Sequence, residues 1–216
     1  MQARATGRAG RFGSLAPLVL LLAAPAVLFL GAGAVCPAAD CRPGTFDAAG
    51  MALAARGHGP LADAFFRILT WGGSILVLGP LAVIHAIFAW NRLRSPRALF
   101  VPVALAGAAL MAYATKIAVD RERPDLAALI EMPADTSFPS AHSLQASAFA
   151  MAWLLAPARR QPIKLEVAFA ILLVALVAWS RLHLQVHYPS DILFGLTAGL
   201  IWVVALRRLS YWNPKP

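Results

Sequence analysis

Charged residues are scarce in this sequence, and acidic residues are the scarcer kind. The 216 residues include 19 Lys or Arg and 10 Asp or Glu, so only 13% are charged, whereas 60% are apolar. A soluble domain usually contains about 25% charged residues, and the mean hydropathy here is +0.68. The composition therefore excludes an ordinary water-soluble core and predicts an integral membrane protein.

Several other features are missing. The sequence has no linker, internal repeat or low-complexity tract, which predicts a single integral membrane domain over residues 1–216. Its acids form no cluster of carboxylates that would indicate a metal site. There are only two cysteines, Cys36 and Cys41. Both fall in one outside loop, where a disulfide is permitted and free thiols are equally possible.

Six apolar stretches can cross a bilayer, alone or with their flanking residues, since a spanning helix needs about 20 residues. They are Leu15–Ala34, Ile68–Trp90, Ala98–Val119, Ser143–Ala156, Ile163–Ser180 and Ile192–Leu206. On length alone, the last three could instead be buried or re-entrant helices. The first could be a signal peptide, but it is long for one, so we expect a retained span. The expected fold is an all-α bundle of six transmembrane helices.

Basic residues are concentrated in every second loop. They are Arg4, Arg8 and Arg11, then Arg92, Arg94 and Arg97, then Arg159, Arg160 and Lys164, and finally Arg207, Arg208 and Lys215. The same segments contain a single acid, Glu166. Because basic loops stay in the cytoplasm, both termini are predicted to be cytoplasmic. Topology thus accounts for the net charge of +9, and no nucleic-acid partner is expected.

The longest outside loop runs from Val35 to Arg67. Within it, Phe46–Arg56 and Leu61–Phe66 are apolar enough to form short helices along the membrane interface, although an irregular covering loop is equally compatible. On the sixth stretch, Gly195 and Gly199 form a pair of small residues four positions apart. Such a pair is typical of a helix-packing face.

Three clusters of charged and hydroxyl residues interrupt the apolar pattern. Each lies at the outside end of a span: one after the third, one at the start of the fourth, and one between the fifth and sixth. Alternating topology brings all three to the extracytoplasmic face. Charges at the edges of spans are costly, so such a set indicates a functional site. Its cations, nucleophile and proton donor are the groups that phosphate chemistry requires.

The first cluster contains Lys116 and Arg123. They are seven residues apart, so they share a helix face if the third helix continues that far. Pro124 predicts that the helix ends at Arg123. Lys116 could alternatively extend towards the interface without a specific partner. Arg121 is expected to point elsewhere and to stay solvated beside its acidic neighbours.

The second cluster is the predicted entry to the fourth helix. Ser140 can cap this helix, and the free amides of Ala141, His142 and Ser143 then form an anion site. An ordinary capped helix start is the alternative. His142 favours the functional interpretation, because it adds a titratable proton donor beside those amides.

The third cluster contains two candidate catalytic residues, His187 and Asp191. Pro189 between them suits the first turn of the sixth helix. Asp191 can fix the tautomer of His187 and leave its other ring nitrogen free to attack; a simple helix-capping role is the alternative. Arg181, which follows Ser180, supplies a further cation for phosphoryl oxygens.

Taken in order, the three clusters resemble the signature of the type 2 phosphatidic acid phosphatase superfamily over roughly residues 114–195. The matching residues are Lys116, Arg123-Pro124, Pro139-Ser140-Ala141-His142, Ser180-Arg181, His187 and Asp191. Ala141 departs from the family, which usually has glycine there. Alanine suffices if this position needs only a helical backbone and a donated N–H, and this is what we expect.

The resemblance implies a phosphatase that uses no metal and no other cofactor. His187 would be the nucleophile that forms a phosphohistidine, Asp191 would orient it, and His142 would protonate the departing oxygen and later activate water. The phosphoryl group would be bound by Lys116, Arg123, Ser140, the amide of Ala141 and Arg181.

The implied function is hydrolysis of a lipid phosphate or diphosphate on the outside of a bacterial inner membrane, with no obligatory protein partner. An undecaprenyl diphosphate-type carrier is the first choice, and phosphatidate, phosphatidylglycerophosphate and lipid A phosphates are alternatives. An anion transporter would have charged residues midway along its spans, where this sequence has almost none. A non-catalytic scaffold would be expected to have lost His142 or His187, and both are present.

Among the histidines that match no position of the signature, His183 and His85 lie near or within the apolar stretches. We expect His183 to line the interface near the third cluster. His85 lies near the cytoplasmic end of the second span, where an interhelical hydrogen bond is the simplest explanation for an intramembrane histidine.

Overall fold

The computed structural model describes residues 16–157, 159 and 161–209. Several residues used in the topology prediction lie outside the described residues, namely Arg4, Arg8, Arg11, Leu15, Arg160 and Lys215. Within the described part, the chain forms eight α-helices and no strand, which confirms the all-α prediction. The helices are α1 (Ala16–Val35), α2 (Thr45–Ala55), α3 (Pro60–Leu69), α4 (Ile75–Leu93), α5 (Phe100–Ala118), α6 (Ala141–Leu154), α7 (Lys164–His183) and α8 (Pro189–Arg208).

Four helical segments in the described residues are long and apolar enough to cross a membrane. They are Ile75–Leu93, Pro96–Ala118, Lys164–His183 and Pro189–Arg208. Helices α1, with 20 residues, and α6, with 14 residues, correspond to the two remaining predicted stretches, and α6 is shorter than a spanning helix. Each predicted stretch thus contains a helix, while the count of six membrane crossings stays a prediction.

The second predicted stretch, Ile68–Trp90, is interrupted in the structure. Thr70–Gly73 form a 3₁₀ turn, and α4 begins only at Ile75, so the predicted start of this span is wrong. The side chain of Ser74 caps α4, because its hydroxyl accepts a hydrogen bond from the amide of Leu76 at 3.3 Å. Because Ser74 caps α4, the 3₁₀ turn at Thr70–Gly73 and α4 are two separate elements.

Helix α5 is shorter at its C-terminal end than the sequence predicts. It ends at Ala118, because Val119 adopts an extended backbone with φ −123° and ψ 99°. The Thr136 hydroxyl donates to the carbonyl oxygen of Lys116 at 3.0 Å and satisfies an acceptor at this helix end. Lys116 and Arg123 therefore do not share a helix face, and the expected helix end at Arg123 is wrong.

Helix α6 lies at the centre of the bundle, where it packs against α4, α5, α7 and α8. Its Leu144 and Ala148 are fully buried in the main apolar cluster. The outer surface is apolar as well: Leu76 is 70% exposed, Leu110 67% and Phe169 65%. A bundle with an apolar core and an apolar exterior fits a lipid environment rather than water.

Helices α6 and α8 approach each other most closely at two glycines of α8. A Cβ atom on Gly199 would lie 2.2 Å from Oγ of Ser147 and 2.6 Å from the carbonyl oxygen of Leu144. A Cβ atom on Gly195 would lie 2.8 Å from the carbonyl oxygen of Ser140. The predicted packing face is therefore confirmed, and it holds the first turn of α6 against α8.

Two short helices cover one end of the bundle, so the helical alternative for the first outside loop is confirmed. Helix α2 packs against α7 and α8, and α3 packs against α7. Between α1 and α2, Cys36 and Cys41 form a disulfide. The structure thus selects the disulfide over free thiols.

Replacement of Gly199 by alanine tests the contact between α6 and α8. We expect Gly199→Ala to destabilise the protein by about 1–3 kcal/mol, the usual cost of overpacking a tight contact. Gly79→Ala on α4 is the matched control, because nothing lies within 4 Å of the Cβ position at Gly79 and alanine favours a helix. Thermal unfolding in detergent compares the two. An equal effect of both substitutions would contradict the close contact.

Candidate active site

The three sequence clusters meet at one end of the helix bundle. Lys116 lies in the last turn of α5 and Arg181 in the last turn of α7, while Ser140 precedes α6 and Asp191 lies in the first turn of α8. A hydrogen bond of 3.1 Å from the amide of Ser140 to the carbonyl oxygen of Asp191 links the second cluster to the third. The ends of four different helices thus surround a single site.

His187 lies in the short connection between α7 and α8. Its side chain is 2% exposed. Nε2 lies 3.2 Å from Nη1 of Arg123, which can donate to it, and Nδ1 lies 3.5 Å from Oδ2 of Asp191. If Nε2 accepts from Arg123, the ring proton is on Nδ1 and faces the carboxylate. Nδ1 makes no hydrogen bond within the described residues, so at 3.5 Å the imidazole and the carboxylate are neighbours without a hydrogen bond.

The surroundings of His187 favour its neutral form. Burial, followed by the positive charges of Arg123, Arg181 and Lys116, lowers the pKa of His187 well below the ordinary 6.5 of histidine. A neutral imidazole has a lone pair on the nitrogen that carries no proton. The site therefore keeps His187 in the form that can act as a nucleophile.

Asp191 is fully buried and its two carboxylate oxygens have separate partners. Oδ1 accepts from Nη1 of Arg121 at 2.5 Å. Oδ2 accepts from the hydroxyl of Ser137 at 2.5 Å and from the amide of Tyr188 at 2.9 Å. The bond to Tyr188 is the helix-capping role considered from the sequence, and Oδ2 also faces His187. One carboxylate thus caps α8 and lies beside the imidazole of His187.

The prediction that Arg121 stays solvated is wrong, because its side chain is fully buried. Nη2 donates to Oδ2 of Asp47 at 2.6 Å, Nη1 contacts Asp191, and the guanidinium stacks over the ring of Tyr188 at 4.2 Å. The physical reason is the early end of α5, which turns the chain inwards after Ala118. Two carboxylates and an aromatic ring then compensate for burying the charge.

Asp47 and Ser190 were not identified from the sequence. Asp47 lies in the first turn of α2 and is 4% exposed. Its carboxylate accepts from the amide and the hydroxyl of Ser190 at 2.9 and 2.8 Å, as well as from Arg121. A lone acid in an otherwise apolar segment was the available signal. The segment between α1 and α4 is therefore bonded directly to the start of α8.

A carboxylate occupies the space between two of the predicted phosphate-binding cations. Asp135 hydrogen-bonds to Nη2 of Arg123 and lies 3.5 Å from Nζ of Lys116. Burial acts to raise the pKa of Asp135, but the hydrogen bond from Arg123 and the charge of Lys116 outweigh it, so the pKa is lowered. Asp135 is thus ionised and stands where an anionic substrate group would be attracted. Nothing in the sequence distinguished it.

Arg181 is nearly buried and incompletely bonded. Its Nη1 donates to the hydroxyl of Thr70 at 2.6 Å, whereas its buried Nε has no partner in the described part of the chain. Thr70 belongs to the 3₁₀ turn that the sequence failed to indicate. The guanidinium therefore has an unused donor beside the site.

The start of α6 has the geometry expected of an anion site. Ser140 is its N-cap and accepts from the amide of Ser143 at 3.4 Å, which confirms the predicted cap. Ala141 is the first helical residue and does not have positive φ, so alanine is compatible there, as expected. His142 makes no hydrogen bond to another described residue. A Cβ on Gly73 would lie 3.0 Å from its Cβ, so the turn before α4 packs directly behind it.

His183 and His85 lie away from this cluster. His183 is buried, and its Nε2 lies 2.8 Å from Oδ1 of Asp63, which ties α3 to α7. The interhelical hydrogen bond predicted for His85 is wrong, since none is formed among the described residues. Its ring instead lies 5.0 Å from the ring of Trp153.

A cavity of about 760 Å³ opens beside the site. Arg123, Gln185 and Tyr188 form its inner side, and α2 forms the opposite wall. Within the described residues, no three His, Cys, Asp or Glu side chains are grouped as metal ligands. The site thus offers an anion position lined by cations, next to a space large enough for part of a substrate.

Comparison with known proteins identifies the family. The model of the PAP2 superfamily matches residues 97–215, more than half of the chain. The chain therefore belongs to the PAP2 superfamily, and the resemblance inferred from the three clusters is confirmed.

The similar proteins of known identity are bacterial phosphatases. Decaprenylphosphoryl-5-phosphoribose phosphatase of Mycobacterium tuberculosis is 38% identical over 92 residues, which cover 41% of this chain and 48% of that protein. Phosphatidylglycerophosphatase B of Bacillus subtilis is 34% identical over 88 residues, 38% of this chain and 43% of that protein. The matched region spans less than half the length of these relatives.

Two solved membrane phosphatases share the fold. The PAP2-type phosphatidylglycerolphosphate phosphatase from Bacillus subtilis superposes with a TM-score of 0.70 at 23% identity, covering 89% of this chain and 94% of that one. Aquifex aeolicus LpxE gives a TM-score of 0.64 at 21% identity, covering 76% and 95%. With the long apolar helices, this fold identifies an integral membrane protein.

Removal of Arg121 tests the buried ionic network. We expect Arg121→Met to destabilise the protein by about 3–5 kcal/mol, because two buried carboxylates lose their counter-charge. Adding Asp47→Asn should recover part of this loss, since one unpaired charge is then removed. Arg42→Gln is the control, because Arg42 pairs with Asp40 at the surface, where such pairs contribute little. Unfolding midpoints in detergent measure all three. A loss for Arg121→Met no larger than that of the control would contradict the network.

Proposed function

We propose that this protein is a membrane phosphatase that hydrolyses a lipid phosphate or diphosphate through a phosphohistidine at His187. The observation that carries the proposal is the convergence of Lys116, Arg123 and Arg181 around two histidines at the helix ends. Three cations beside a neutral imidazole are suited to bind a phosphoryl group and attack it. The membership of the PAP2 superfamily supports the same reaction class.

In the first step, the phosphoryl group of the substrate displaces the carboxylate of Asp135 from the cations. Lys116, Arg123 and Arg181 bind its oxygens, and the hydroxyl of Ser140 and the amide of Ala141 complete the site at the N-terminus of α6. The lone pair on Nε2 of His187 then attacks phosphorus. The bond from phosphorus to the lipid oxygen breaks, and that oxygen takes a proton from His142, which is in its imidazolium form while the negatively charged phosphoryl group is bound beside it.

In the second step, water hydrolyses the phosphohistidine. His142, now neutral, accepts a proton from the water, whose oxygen forms the new bond to phosphorus, and Nε2 of His187 is released. Asp191 stabilises the positive charge that develops on the imidazole and keeps Nε2 directed at the substrate. This scheme assigns no step to a metal ion, because the three cations neutralise the phosphoryl oxygens.

We place the site outside the cytoplasm of a bacterial inner membrane, with both termini inside. The support is the charge at the other end of the bundle. The described basic residues Arg92, Arg94, Arg97, Arg207 and Arg208 all lie there, far from the helix ends that form the site. Basic loops are retained in the cytoplasm. The active end then faces the outer leaflet, where lipid headgroups lie.

Among substrates, a polyprenyl carrier of the undecaprenyl diphosphate type is our first choice. A relative named for a decaprenylphosphoryl substrate supports this class. Phosphatidylglycerophosphate is the second candidate, because one relative is a phosphatidylglycerophosphatase. Phosphatidate and lipid A phosphates are lower-ranked alternatives. An anion transporter is less suited to the structure, because the clustered charges lie at the bundle end and not midway along the helices.

Phosphate release by the detergent-purified protein tests this function. With EDTA present, the wild type should release phosphate from at least one member of a panel of polyprenyl diphosphate, phosphatidate, phosphatidylglycerophosphate and lipid A. His187→Ala should lower kcat about 10³-fold or more, as expected when a nucleophile is removed. Arg208→Gln, an exposed change at the opposite end, is the control.

Two results would count against the proposal. If the folded wild type releases phosphate from no member of the panel, the phosphatase function fails. If His187→Ala is as active as the control, the protein is a phosphatase but His187 is not its nucleophile.

A further inference from the structure

A second cavity lies at the end of the bundle opposite to His187. It has a volume of about 280 Å³ and is formed between α4 and α6. Its lining residues are His85, Phe88, Ala89, Arg92, Trp153 and Arg159. None of them takes part in the site described above, and no acidic residue lines the cavity.

His85 is the buried polar group of this cavity. Its side chain is 9% exposed, and its Nδ1 is fully buried without a hydrogen-bond partner in the described residues. One face of the ring packs near Trp153. An unpaired polar nitrogen costs about 1–3 kcal/mol inside a protein. The other ring nitrogen, Nε2, is not fully buried, so it is the nitrogen of His85 that a ligand in the cavity can reach.

Two arginines give the cavity a positive potential. Arg92, in the last turn of α4, forms no ion pair or hydrogen bond with another described residue. Arg159 lies over the ring of Trp153 at 5.1 Å, and Glu166 pairs with it at 2.8 Å, so its charge is partly neutralised. The Trp153 ring and the ion pair with Glu166 hold the Arg159 guanidinium in place. The ligand that fits this lining carries negative charge.

The position of the cavity indicates where such an anion comes from. Phe88 lines it and is 67% exposed on the outer apolar surface of the bundle. Arg92 lies one helical turn further along α4, where the apolar stretch ends. Tryptophan and arginine at this level are typical of the membrane–water boundary. A lipid phosphate lies at this depth, with its acyl chains beside residues such as Phe88.

We propose that this cavity binds the phosphate headgroup of an anionic phospholipid. Arg92 and Arg159 pair with the phosphate oxygens, and His85 supplies a hydrogen bond from the floor of the cavity. The acyl chains lie along the apolar face of α4 at Phe88. The bound phosphate then links the C-terminal end of α4, through Arg92, to the segment that follows α6, through Arg159. This site is separate from the proposed catalytic function and does not depend on it.

Native mass spectrometry of the full-length protein in detergent tests the site. Bound lipids are counted during titration with phosphatidylglycerol and, separately, with phosphatidylcholine of the same chain length. We expect one tight phosphatidylglycerol and at least fivefold weaker binding of phosphatidylcholine. Arg92→Gln and Arg159→Gln should each weaken phosphatidylglycerol binding about fivefold or more, as loss of a charge-assisted hydrogen bond predicts.

Two further variants distinguish a specific lipid-binding site from electrostatic attraction of the lipid to the basic surface of the protein. Arg208→Gln removes an exposed charge at the same end of the bundle without touching the cavity, and should leave phosphatidylglycerol binding unchanged. His85→Phe keeps a ring against Trp153 but removes both ring nitrogens, and should weaken binding while the unfolding midpoint without added lipid stays within a few degrees.

Three results would overturn the proposal. One is equal weakening by Arg208→Gln and Arg92→Gln, which would indicate attraction to the surface only. Another is equal binding of the two lipids. The third is an increase of the unfolding midpoint by millimolar inorganic phosphate that is as large as the increase caused by phosphatidylglycerol. This would identify a soluble anion rather than a lipid as the ligand.

Discussion

The buried guanidinium of Arg121 is the interaction on which the active end of this protein depends. It joins Asp47 of α2 to Asp191 of α8 through hydrogen bonds of 2.6 and 2.5 Å, and these partners lie 74 and 70 residues away from it in sequence. A buried arginine is costly unless both its charge and its donors are matched. The pairing is therefore favourable only when α2, the segment after α5 and α8 are all in place. Folding of the outside loop and formation of the site are thus coupled.

The position of the candidate nucleophile follows from this network. Asp191 is held by Arg121, Ser137 and the amide of Tyr188, so its remaining face is directed at His187. The glycines of α8 bring α6 close enough for the amide of Ser140 to bond the backbone of Asp191. Helix packing, the cap of α6 and the orientation of the imidazole are consequently parts of one arrangement. Burial, together with the surrounding cations, keeps the imidazole neutral by lowering its pKa, and the cations attract an anion. The proposed reaction requires both.

Much of the fold was predictable because it depends on local or periodic signals. The apolar stretches predicted the helices, Ser140 predicted the cap of α6, and the spacing of Gly195 and Gly199 predicted a packing face. The boundaries were less predictable. A proline at 124 limits how far α5 can extend, but it does not show that the helix stops at Ala118, six residues earlier.

The site residues were predictable where they belong to a sequence motif. They were not predictable where a connecting segment folds back and brings distant residues together. Arg121 lies between two acids in sequence, and this pattern is normally that of a solvated segment. Its true partner Asp47 lies in another loop, and no local property indicates such a pairing. The same holds for Thr70, whose contact with Arg181 depends on a turn inside an apolar run. Long-range contacts between connecting segments decide these positions, and one sequence carries no direct record of them.

The most direct test of the central claim is identification of the phosphorylated residue. In His142→Ala, p-nitrophenyl phosphate should still react, because its leaving group needs no proton, whereas hydrolysis of the intermediate should be slow without the base. Rapid denaturing quench at alkaline pH, followed by peptide mass spectrometry, locates the phosphoryl group. The account predicts an acid-labile phosphohistidine at His187 that is absent when His187 is also replaced. A phosphoserine at Ser140, or nitrophenol release with no covalent intermediate at all, would contradict it.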